Sequence, residues 1–177
     1  MGENKNIEMV EQFDENAYFM DNKIIYGRHA TIVKKLKDAK IFKTNREAYI
    51  LAPIIGFLYG IKSEEDKTPD EYLGRPDETK VLAAELTREG DWKRLKHSYQ
   101  LIILLDKEYT DDLNARIDKA FRNVLRDQED KNLFESYIRG GIDKLNEKIF
   151  FNDALHEEEF MDNILEFVKD VKDTFSI

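Results

Sequence analysis

The chain has no cysteine, which excludes thiol nucleophiles, Cys-based zinc sites and a disulfide framework. Three prolines and eight glycines leave few places for sharp turns, so long helices are favoured over many short strands. The longest apolar stretch, Ala48 to Ile61, is too short to span a bilayer. There is no glycine-rich phosphate loop, and His29, His97 and His156 form neither an HxxxH nor an HExxH arrangement. No serine or threonine has a His or Asp at a spacing that suggests an activated nucleophile. His156 with Glu157 or Glu159 could offer metal ligands, but acidic residues at a helix start account for those glutamates equally well. No metal and no cofactor is expected. The segment MGENKNIEMVEQF is too acidic and too poor in apolar residues for a signal peptide, and Asn6 stands where myristoylation needs Ser or Thr. A cytoplasmic protein without membrane association is the expectation.

What is present is a charge asymmetry. Arg28, Lys34, Lys35, Lys37, Lys40, Lys43 and Arg46 are opposed only by Asp38, so residues 28–46 carry +6 in a chain of net charge −9. The remainder therefore carries −15. A basic strip of this kind predicts docking of an anionic partner, either DNA or an acidic protein surface. The acidic total argues against broad coating of nucleic acid, while screening over roughly 10 Å still permits a local contact. Intramolecular pairing with the acidic remainder is a further reading. With 41% hydrophobic and 11% aromatic residues, 177 residues suffice for one core without a metal or disulfide staple.

The pattern along the chain predicts an all-α fold: a compact bundle of six or seven helices with one long polar loop. Residues 1–22 are polar with scattered Ile7, Val10 and Phe13 and read as an arm, with a single helical domain over 23–177. Ile24, Ile25 and Tyr26 form a brief extended run ending at Gly27. Ile32, Val33 and Leu36 give the next segment a narrow apolar stripe among lysines. Thr44-Asn45-Arg46-Glu47 is a capping box opening a helix apolar nearly all round, with Pro53 inside it. Residues 62–79 make the polar loop, and 80–87 read as a short helix. Asp91 is expected to cap a helix that includes the LIILL run, which by itself also fits a buried strand, and Thr110 to start another. Two further helices carry Phe134, Ile138, Leu145 and Ile149, and then Phe160, Ile164, Phe167 and Val171. Gly140 and Gly141 inside a helical pattern each cost about 1 kcal/mol against Ala, which points to close backbone approach or a hinge.

One motif suggests catalysis. Pro69-Asp70 followed by Glu78-Thr79-Lys80 imitates a metal-dependent nuclease pattern, with Asp70 and Glu78 holding a divalent ion and Lys80 polarising water. That chemistry needs the two carboxylates on adjacent strands, whereas this region is broken by prolines.

Ile41–Gly56 (IFKTNREAYILAPIIG) and Tyr137–Leu145 (YIRGGIDKL) resemble two segments of the small accessory proteins encoded beside bacterial DNA phosphorothioation (Dnd-type) systems. The resemblance covers about residues 28 to 150 and departs at Pro53 and in the extra acidic C-terminal helix. It implies a defence-associated accessory protein acting through complexes with DNA-processing partners, and it carries over no catalytic residue. The first reading is therefore a non-catalytic adaptor that docks a protein partner or DNA through its basic helix. The alternatives are the nuclease and a structural subunit whose all-apolar helix seats part of its surface on another chain, a second copy included.

Overall fold

The computed structural model describes Asp14 and residues 16–88, 90–150 and 157–175. Most of the expected arm, together with His156, lies outside these residues. The described chain is mostly helical. Its elements are α1 (Ala17–Met20), β1 (Lys23–Tyr26), α2 (Gly27–Asp38), α3 (Asn45–Leu58), β2 (Glu78–Val81), α4 (Ala83–Arg88), α5 (Asp91–Leu105), α6 (Leu113–Phe121), α7 (Gln128–Ile149) and α8 (Glu157–Phe175).

The all-α expectation needs one correction. KIIY and ETKV pair as an antiparallel ribbon, with Lys23 opposite Val81 and Tyr26 opposite Glu78. Ile24, Ile25, Thr79 and Val81 are β-branched and fit a pleated, half-buried surface. Residue 80 therefore belongs to a strand, and α4 starts only at Ala83. The ribbon turns Lys23, Ile25, Thr79 and Val81 inward and Ile24 and Lys80 outward.

Local chemistry explains the helix ends. α2 closes in a Schellman motif: Lys40 adopts φ 58°, its N–H donates to Lys37 O, and the N–H of Ile41 donates to Leu36 O. Thr44 caps α3 by accepting from the N–H of Glu47, as the capping box predicts. The Glu47 carboxylate, however, reaches back to the N–H of Lys43 rather than that of Thr44. Two expected starts shift. Asp91 forms no cap, because Gly90 occupies the cap position of α5, and α6 opens at Leu113 with Asp112 accepting from the N–H groups of Asn114 and Ala115.

The core is centred on α3 and α7, which cross with their backbones in near contact. Gly56, Gly140 and Gly141 make this possible: a Cβ on Gly141 would overlap the Ala52 carbonyl, and one on Gly56 would overlap that of Tyr137. Close approach is therefore the use of the glycine pair. Around this crossing, Phe19, Tyr99 and Phe134 pack in tilted and edge-to-face contacts with centroids 5.6–6.4 Å apart. Residues 17–20, which sequence assigned to the arm, thus place Phe19 in the core. A second cluster of Leu36, Ile55, Leu145, Ile149 and Phe167 seats α8. No helix among the described residues is long and apolar enough to cross a membrane.

Candidate functional site

The structure divides the seven basic residues. Arg28 pairs with Asp143 at 2.9 Å, and Lys34 pairs with Asp77 at 2.5 Å. Arg46 is buried, 3.0 Å from buried Asp91 on α5, so it is removed from any outward-facing strip. Lys35 lies over the Phe150 ring, 4.2 Å from its centre. Lys37, Lys40 and Lys43 are exposed. Lys37 and Lys43 join Lys80 around a shallow hollow of about 350 Å³ at the start of α3, with Glu85 the acidic residue on its wall. Sequence reasoning did not include Lys80 in this group, because only strand pairing brings β2 beside α3.

Beside this hollow, α3 and α5 run parallel. Arg46 meets Asp91 at their starts, and Lys62 lies 3.4 Å from Asp106 just past their ends. Between the helices lies a groove of about 520 Å³, lined by Ile50, Leu51 and Ile54 of α3 and by the charged Arg46, Glu47, Asp91 and Arg94. Leu101 and Leu105 follow Arg94 by seven and eleven residues and so continue its face of α5. They are 46% and 55% exposed, and Leu51 is 38% exposed. Contiguous exposed apolar side chains mark an interaction surface more often than single ones do. The LIILL run is thus helical and two-faced, with Ile102 and Ile103 in the core and Leu101 and Leu105 outside.

The polar segment 61–77 has no helix or strand, yet carboxylates fix it to the start of α2. Asp66 accepts from the N–H of Arg28, and Asp77 accepts from Thr31 and Lys34. Asp143 of α7 collects the Arg28 guanidinium, the Ser63 hydroxyl at 2.7 Å and, at 3.3 Å, Nε2 of buried His29. Ser63 and His29 thus both point at the carboxylate rather than at each other, which is not the order of a nucleophilic triad. Burial alone would push the Asp143 carboxyl up. The hydrogen bonds from His29, Ser63 and Arg28 outweigh it and hold the group well below the usual carboxylate range. Asp66 is lowered to about 2, first by the backbone N–H of Arg28 and then by Thr68.

A folded-state pKa below the unfolded value of about 3.9 stabilises the protein above that pH and is lost as pH falls through the folded value. The expected result is that wild-type stability drops steeply below about pH 4. Asp143→Asn should be less stable at pH 7 and flatter on acidification. Urea denaturation at a series of pH values measures this, and parallel wild-type and variant curves would refute it.

The nuclease residues are placed unfavourably. The Asp70 carboxylate caps a turn by accepting from the N–H groups of Tyr72 and Leu73, so it lies in a loop rather than on a strand. Glu78 and Lys80 lie together on β2, 3.9 Å apart. Among the described residues no three His, Asp or Glu side chains gather as a metal site. Comparison with known protein families, with curated proteins and with solved structures found no match for this chain.

Proposed function

We propose that the chain is a non-catalytic adaptor whose α3/α5 groove receives an acidic amphipathic helix from a partner protein. The observation that carries this reading is the juxtaposition of exposed leucines beside a mixed apolar and charged groove with a cationic end. Leu51, Leu101 and Leu105 supply apolar area, and because each is already about half buried, covering the rest is worth about 1 kcal/mol per leucine. Lys37, Lys40 and Lys43 add a positive field at the start of α3, where the backbone of Lys43 is joined to Glu47 of the groove. A helix with an i, i+3, i+4, i+7 apolar stripe and acidic flanks matches both features. The lysines would speed and orient encounter, and the groove would set residence time. The likeness to phosphorothioation accessory proteins makes a subunit of a DNA-modification complex the partner we propose first.

The test is titration calorimetry against each protein encoded beside the gene. Leu51→Glu and Leu101→Glu should each weaken binding at least tenfold. Lys37→Glu with Lys40→Glu should slow association and flatten its salt dependence. Three outcomes would overturn the reading: partner affinity unaffected by the groove variants; tight duplex DNA binding that only the lysine variants abolish; or a wild-type dimer that the groove variants convert to monomer. The second points to DNA and the third to a second copy as the occupant.

A further inference from the structure

A second site lies on the opposite face of the ribbon from Lys80. The strand register turns Lys23 inward, and among the described residues it is the one lysine that is buried. Its ammonium donates to the carbonyl oxygen of Tyr18 and lies 3.4 Å from the centre of the Tyr18 ring. It also lines a cavity of about 270 Å³ whose wall carries Tyr18, Tyr49 and Arg139 together with the carboxylates Asp21, Glu65 and Glu135. A buried ammonium without a carboxylate in contact is costly, and the usual relief is loss of its proton.

We propose that Lys23 is a carbonyl-reactive amine and that the cavity binds a small oxo acid, held as an imine. The Tyr18 hydroxyl, 3.1 Å from Glu135, supplies proton transfer at the cavity wall. Arg139 is the cation for the carboxylate: its Nε is anchored on the Ser63 carbonyl at 2.9 Å, and the ligand would share its guanidinium with Glu135, 3.6 Å away. The neutral Nζ adds to the carbonyl carbon, and one N–H proton passes to the oxygen to give a hydroxyl. That hydroxyl leaves as water as the Tyr18 hydroxyl passes it a proton and takes up the remaining N–H proton in the same step, so that no free phenolate forms, in keeping with the burial that holds the Tyr18 phenol protonated. Amine and carbonyl thus become imine and water, with no oxidant or reductant. Burial supports the chemistry by lowering Lys23 to about 8, against opposition from Asp21 and Glu135. The uncharged fraction near pH 7.5 then rises on the order of a hundredfold over an ordinary lysine.

The inference stands apart from the adaptor reading and is tested separately. The full chain is treated with glyoxylate and cyanoborohydride, which reduces an imine to a stable amine, and the modified lysines are mapped by mass spectrometry. Lys23 should react at least tenfold faster than exposed Lys37 and Lys40 at pH 7.5, with a half-maximal rate near pH 8. Lys23→Arg should lose the fast site with an unchanged circular dichroism spectrum. Acetaldehyde, which lacks the carboxylate, should show a smaller lead for Lys23. Labelling of Lys23 no faster than the exposed lysines overturns the reactive amine. An equal lead with both reagents overturns the oxo-acid assignment. The wild-type map decides both points even if the variant does not fold.

Discussion

Gly141→Ala is expected to destabilise the protein by about 3 kcal/mol or more, although alanine is the better helix former by about 1 kcal/mol. The added Cβ would overlap the carbonyl oxygen of Ala52 and lie 2.9 Å from its Cα. The neighbour is helix backbone, which cannot rotate aside as a side chain can. Relief requires α3 and α7 to separate, and that opens the packing of Ala48, Ala52, Tyr137 and Ile138 together. Gly140→Ala meets the Ile61 carbonyl, just beyond the end of α3, and the double variant should not give a cooperative transition. Urea denaturation monitored by circular dichroism reads the loss. Stability equal to or above wild type would mean that propensity dominates and that the helices do not cross so closely.

Asp130→Ala should cost about 2–3 kcal/mol, because it leaves the Tyr109 hydroxyl without its acceptor and Lys119 with only exposed Asp127 at 3.3 Å. Asp130 is fully buried, and the Lys119 ammonium lies 2.8 and 3.0 Å from its two oxygens. The Tyr109 hydroxyl donates to the same carboxylate, so one acid ties α6, α7 and the turn before α6. Burial would lower Lys119, but the hydrogen bonds to Asp130 and Tyr109 carry it well above its ordinary value. Burial and then Asp130 push the Tyr109 phenol up. In Asp130→Ala the phenol should therefore ionise at lower pH, without reaching its ordinary value because burial persists. Tyr109→Phe removes one hydrogen bond and should cost only about 1 kcal/mol. A loss below that figure for Asp130→Ala would show that water replaces the carboxylate.

These two sites also mark how far the sequence could be read. Gly140-Gly141 within a helical pattern signals a close approach, because glycine is otherwise unfavourable there, yet nothing local names Ala52 and Ile61 as the atoms approached. The Thr44–Glu47 cap was legible because it depends on neighbours within a few residues, whereas LIILL fitted helix or buried strand until the fold showed Leu101 and Leu105 outside. The β1/β2 ribbon was not, because its partners stand more than fifty residues apart and each is only four residues long. The basic strip shows the same limit. Clustering in sequence implied one surface, but the Arg28–Asp143, Lys34–Asp77 and Arg46–Asp91 pairs join acids 43–115 residues away. Lys80 replaces part of what was lost, through strand pairing alone.

By itself, the sequence determined a mostly helical, cysteine-free chain with the cap at Thr44, its amphipathic faces and its excess of positive charge before α3. Propensity, periodicity and capping act over a turn or two, so they are written locally. Tertiary structure alone decided which cations remain free, that the acid of Asp143 closes the polar segment onto α2, and that Lys23 points inward. Each of those outcomes depends on which distant acid or wall the fold brings within hydrogen-bond reach, and on the desolvation that follows.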